Sequence, residues 1–209
     1  MGLTVLGWLA AASSAAVALP QLVHLWRDHR SGGVSLLLWQ LTMCTSIGWT
    51  MHGFRDAQAN IVVPNALGTV IAGLVLGAIL SDRDLDWRRV YPPAVLAGFA
   101  VGATDWLVSA VVFGLIMLVP ALVGQISQGR GLVGHPDIRG VSAGYLAVNL
   151  LVQALWFAWS VGAQDGSIMW CAALTGLAIV VNLVLYATRA LGWRRSEASE
   201  ETSAETAAP

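Results

Sequence analysis

The chain has 209 residues, 56% of them hydrophobic and only 11% charged, with a formal net charge of −1 and a mean hydropathy of +0.68. Soluble domains carry about a quarter charged residues, so this balance excludes an ordinary water-soluble fold and predicts an all-α membrane protein. The gaps between apolar stretches are too short for a separate soluble domain, and nucleic acid is not an expected partner.

A helix needs roughly 20 mostly apolar residues to cross a bilayer. In chain order such stretches are expected near 3–26, 34–54, 59–80, 89–104, 106–127, 140–162 and 168–191. The first has no basic residue before Arg27 and runs beyond the apolar region of a signal peptide, so it reads as a span. Leu6 stands where N-myristoylation would require Ser or Thr. The fourth stretch is short and holds Pro92 and Pro93. Asp105 reads as an exposed N-cap opening the fifth. Beyond Arg195 the chain is polar and acidic, and 192–209 is expected to be a disordered tail.

Every basic side chain is arginine. Short cytoplasmic loops are enriched in such residues, and with the N-terminus outside, ten of the eleven arginines fall inside, leaving only Arg55 outside. The same count supports the weak fourth span, since removing it would carry the later arginines across the membrane. Seven spans with the C-terminus in the cytoplasm result. Arginine without lysine, with abundant alanine and glycine, points to a bacterial cytoplasmic membrane.

An internal repeat organises these spans. Gly33-Val34-Ser35 recurs as Gly140-Val141-Ser142, Trp49 as Trp156, and Ala66-Leu67 as Ala173-Leu174, all at a spacing of 107 residues. Upstream, Pro20 pairs with Pro120 at a spacing of 100, because the following loop is longer in the second copy. Three-span units joined directly would face opposite ways, and one extra helix restores parallel orientation. The expected plan is 3+1+3: a first repeat over 1–80, a linker helix over 81–104 and a second repeat over 105–191. Parallel repeats about an axis along the membrane normal are one way to build a central, alternately accessible site.

Several dipeptides in order carry a resemblance: Pro20-Gln21 at the end of span one, Trp49 followed by His52-Gly53, and Pro64-Asn65 opening span three, on a 3+1+3 plan. Up to about residue 191 the chain resembles the SWEET and SemiSWEET (MtN3/saliva) sugar transporters of the PQ-loop group. The resemblance implies a uniporter of a small neutral sugar, with Trp49, Trp156 and Asn65 forming the substrate pocket. Pro20 and Pro120 each remove a helical hydrogen bond; the resemblance assigns them hinge or gating roles, while static shaping of the helix is the plainer reading. Gln21 serves equally as a moving part or as interhelical packing.

The residues themselves add two polar stripes. Thr42, Ser46 and Trp49 in span two, and Asn149, Gln153 and Trp156 in span six, each follow the i, i+4, i+7 spacing of one helix face and coincide at the repeat spacing. Trp49 and Asn65 both lie roughly 8 Å inside the outer ends of their helices. Indole faces stack on apolar sugar faces, and an amide serves hydroxyls as donor and acceptor. The second copy departs from the first, with Cys171-Ala172 at the position of Pro64-Asn65 and Ala121 after Pro120. Asn182, placed deeper, is read as belonging near an inner gate.

Every Asp and Glu falls in a loop, at a span end or in the tail, which leaves proton coupling without an obvious carrier. His52 reads as a solvated surface histidine. No nucleophile–base constellation, metal-ligand cluster or phosphate loop is present, so neither an enzyme nor a cofactor is expected. Lipid and a small sugar are the expected partners, and one chain suffices for a complete path, so a homo-oligomer is not required. Two other readings stay open: a PQ-loop amino acid carrier, and a seven-helix receptor that transports nothing.

Overall fold

The computed structural model describes residues 2–14, 35–134 and 143–206. These form seven helices and, among the described residues, no strand: α1 (Gly2–Ser14), α2 (Leu36–Arg55), α3 (Ala59–Asp82), α4 (Trp87–Leu107), α5 (Ala110–Gly134), α6 (Ala143–Ala163) and α7 (Gly166–Thr206). Helix α1 is the first half of the expected first span; its second half, with Pro20 and Gln21, lies outside the described residues, as do His24, His29 and His135.

Among the described residues, four helices are by themselves long and apolar enough to cross a bilayer: α3, α5, α6 and the Gly166–Leu191 part of α7. Helix α2 is more polar, holding Gln40, Thr42, Thr45, Ser46, Thr50 and His52, and α4 carries Arg88, Arg89 and Asp105. Isoleucines, leucines and valines along α3, α5 and α7 are exposed on the molecular surface. Lipid, not water, is the solvent such faces suit. Helix α7 continues to Thr206, past the boundary where the sequence suggests a disordered tail. The segment holds four glutamates and two arginines, good helix formers.

The repeat is written into the backbone. Ala57 and Gln164, one repeat apart, both take positive φ, at 53° and 58°. At each turn the residue after them closes back on the preceding helix, Gln58 N–H to Gly53 O at 2.8 Å and Asp165 N–H to Ser160 O at 2.9 Å. These are the same left-handed helix end twice over, leading into α3 and into α7. Within the second unit α7 packs against both α5 and α6, and among the described residues α5 and α6 are not themselves a packed pair.

Helix α4 begins earlier and ends later than the 89–104 stretch suggests, and it is more than a topological connector. It packs along α2 as well as against α3 and α5. Gly98 makes the α2 contact close, because a β-carbon there would stand 2.8 Å from Ile47 Cβ and 3.0 Å from the Cys44 carbonyl. The Gln40 amide donates to the Val90 carbonyl at 2.9 Å, and the Tyr91 hydroxyl to the Gly73 carbonyl at 2.8 Å. With Trp39, Met43, Ile47, Ile71, Val75 and Ile79, residues Val90 and Ala94 of α4 complete a core shared by α2, α3 and α4.

Candidate functional site

A cavity of about 350 Å³ lies between the two units, within the range of small-molecule sites. Helix α2 contributes Thr42, Ser46 and Trp49, α3 contributes Pro64, Asn65 and Gly68, α6 contributes Gln153 and Trp156, and α7 contributes Cys171, Ala172 and Thr175. Several of these are matched pairs at the repeat spacing: Ser46 with Gln153, Trp49 with Trp156, Asn65 with Ala172, Gly68 with Thr175. No charged side chain lines the cavity among the described residues. Asn149, expected on the α6 stripe, is not a lining residue; it has a partner elsewhere. Pro120 sits inside α5, next to the lining residue Ala121.

Asn182, read as lying deeper, does not line the cavity either. It is buried, and its amide donates to Gln125 of α5, to the backbone carbonyl at 3.0 Å and to the side-chain oxygen at 2.9 Å. It ties α7 to α5 and does not replace the missing asparagine at Ala172. The Asn65 amide nitrogen donates to the Ile61 carbonyl at 2.9 Å, which leaves its oxygen as an acceptor toward the cavity. Thr42 gives its proton to the Leu38 carbonyl at 2.8 Å. Among the described residues the Ser46 and Gln153 side chains have no hydrogen-bond partner.

The two tryptophans are held differently. Trp156 Nε1 donates to Ser14 Oγ at 2.8 Å, and Ser14 donates to the Ala10 carbonyl at 2.9 Å, so α1 fixes the ring through one hydroxyl. Trp49 has ring neighbours: Phe113 edge-on at 5.0 Å and His52 at 5.5 Å. Ser14 was not singled out by the sequence reading. At the Pro20–Pro120 spacing its counterpart is Gly114, so no matched pair flagged it.

Toward the ends of α2 and α6 the cavity is closed by an apolar seal. Ile61, Trp159 and Ile168 are buried together, with Leu6, Trp49, Trp156 and Ala163 packed against them. Ile61 and Ile168 are again one repeat apart and meet from the two halves. Helix α1 enters this seal at Gly7, where a β-carbon would stand 2.6 Å from both Asn60 Nδ2 and Trp159 Nε1. Only glycine permits that approach.

Above the seal is a polar network that corrects two sequence expectations. His52 is not a solvated surface histidine, being 0% exposed. Its Nδ1 is 2.8 Å from Asp105 Oδ2 and its Nε2 is 2.9 Å from Asp165 Oδ2, while Arg55 donates to Asp105 Oδ1 at 2.8 Å. Asp105 is not an exposed cap of the fifth helix; it lies in the last turn of α4 and is 1% exposed. The physical reason is tertiary: the end of α4 and the turn before α7 fold over the last turn of α2, and Phe113 stacks on the His52 ring at 5.2 Å. Asp165 also caps α7, accepting from Ile168 N–H at 3.0 Å. Burial works to raise the Asp165 carboxyl, but hydrogen bonds from His52 and the α7 backbone outweigh it and hold the group below the usual carboxylate range.

Residues 2–58 match the PQ loop repeat family. No curated protein matches the sequence. Among solved structures the chain is similar to that of a eukaryotic SWEET transporter, with a TM-score of 0.69 and 11% sequence identity over 91% of this chain and 99% of the other. The correspondence extends over the whole seven-helix fold.

Proposed function

Starting from an integral, multi-pass membrane protein that carries a PQ loop repeat and has the fold of a SWEET transporter, we propose that it is a facilitative uniporter of a small neutral sugar. The halves 1–80 and 105–191 move against each other about the cavity; the arginine distribution supports an N-terminus outside and a C-terminus in the cytoplasm, and arginine without lysine supports a bacterial membrane. The observation that carries this reading is the cavity wall: two indole rings with Asn65, Ser46 and Gln153, and no charged lining residue among those described. A sugar has apolar C–H faces for the rings and hydroxyls for the amides and serine. An amino acid would bring an ammonium and a carboxylate, which this wall does not answer with opposite charge. Pro120 within α5 supports a flexing role for that helix, with Pro20 and Gln21 assigned the same role by sequence.

The test is uptake of labelled monosaccharides and disaccharides into proteoliposomes. Uptake of at least one sugar is expected, reduced roughly tenfold by Trp49→Ala and by Asn65→Ala, as the loss of about 1.4 kcal/mol of stacking or hydrogen bonding implies. No uptake of any sugar, or uptake indifferent to both substitutions, would overturn the sugar reading.

A further inference from the structure

The His52 ring has a carboxylate oxygen at each nitrogen. Carboxylates only accept, so both hydrogen bonds exist together only when the ring carries two protons; a neutral ring turns a bare lone pair toward one of the two acids. The acids differ in how they are held. Asp105 belongs to α4, which packs along α2, and its second oxygen is taken by Arg55 of the same α2. Asp165 sits in the turn between α6 and α7, on the opposite half, and reaches α2 through His52.

The other charged and titratable groups around the ring are few. Asp56 stands 3.8 Å from His52 Nε2 and, with its other oxygen, 3.8 Å from Arg55 Nη1. Helix α5 presents Phe113 to the ring, and α7 brings Cys171 within electrostatic reach of Asp165. Among the described residues α3 brings no titratable side chain to it.

We propose that the His52–Asp165 contact is a proton-binding site controlling access to the cavity: this end closes when the ring binds its second proton and opens when Nε2 gives that proton to water. The neutral ring that remains keeps its Nδ1–H on Asp105. Its bare Nε2 then faces the Asp165 carboxylate, and the turn before α7 loses the bond that holds it to α2. The seal of Ile61, Trp159 and Ile168 beneath it separates with the two halves. His52 also meets Trp49, a cavity residue, edge to face, so the state of the proton is felt one ring away from the substrate. This goes beyond the sugar reading and stands without it, since it requires only that the cavity be shut at this end.

The experiment measures the closure itself. Phe54→Cys and Trp170→Cys, both exposed positions at this end on α2 and α7, are spin-labelled in a background of Cys44→Ser and Cys171→Ser. Distances are then read by double electron–electron resonance in lipid nanodiscs from pH 5 to 9, with a chelator present to exclude divalent cations. A short distance should dominate at low pH and give way to a longer one as pH rises, the ratio changing by at most about tenfold per pH unit, the limit for one linked proton. In His52→Gln and in Asp165→Asn the distribution should stop responding to pH in this window. A pH-independent distribution in the unsubstituted network, or an unchanged pH response in either variant, overturns the proposal. Should His52→Gln fail to fold, Asp165→Asn decides. No sugar enters this measurement, so its outcome and that of the uptake test are separable.

Discussion

Trp49 and Trp156 stand at the same position of the two repeats and line the same cavity, yet among the described residues Trp156 is held by a hydroxyl and one edge-on ring and Trp49 by two rings and no hydroxyl. Trp156 is held by Ser14 of α1, a fixed hydrogen bond from the opposite half. Trp49 is held by Phe113 of α5 and by His52, whose own placement rests on charge. Near-equal geometry has thus been reached by unequal chemistry. The Trp156 side should respond to loss of one neutral hydrogen bond, and the Trp49 side to loss of packing or of ionic partners.

The comparison breaks most severely at Phe113. Replacing this fully buried ring by Ala should cost about 3–5 kcal/mol and release Trp49, lowering the melting temperature in detergent and weakening sugar uptake together. Next comes Asp105→Ala, which leaves His52 without the acid at Nδ1. Because Arg55 is about one-third exposed and recovers water, the cost should sit near the lower end of the range for a broken buried pair, about 3 kcal/mol by denaturant titration. Gly7→Ala forces a methyl against Asn60 and Trp159 and should cost about 1–3 kcal/mol, whereas Gly2→Ala, with open space around it, should cost nothing measurable. Ser14→Ala is the gentlest: about 1 kcal/mol, seen as a roughly fivefold rise in the KM for uptake with Trp49 fluorescence unchanged.

Acid sharpens the same contrast. A carboxyl held below its ordinary value near about 3.9 contributes stability that is fully present above that value and is lost as pH falls through the lower, folded value. Thermal unfolding followed below pH 4 should therefore show a destabilising step that Asp165→Asn removes. Ser14→Ala should leave that step in place.

The helices were legible because the bilayer imposes length and apolarity, and the repeat because Ser35, Trp49 and Ala66-Leu67 return in register. Register also brought Trp49, Trp156, Ser46, Gln153 and Asn65 to one cavity wall. It misplaced Asn149, because facing direction on α6 depends on packing that spacing alone does not set. The His52 network was invisible for a different reason. Its members sit at three helix ends far apart in sequence, each looking like an ordinary solvated terminus until the ends converge. One signal was available: the turn position held by Gln58 in the first copy is Asp165 in the second, an acid gained where the backbone turn is repeated.

Helix α4 occurs once, and that has a consequence for direction. In an assembly of two identical three-helix chains every side chain appears twice, so neither half can serve as a frame for the other. Here Asp105 has no twin. The residue one repeat beyond His52 is Trp159, which meets Trp156 by its ring face and edge. By packing along α2, the connecting helix breaks the symmetry of the duplicated fold; under the transport reading proposed above, it makes the first half the frame against which the second would move.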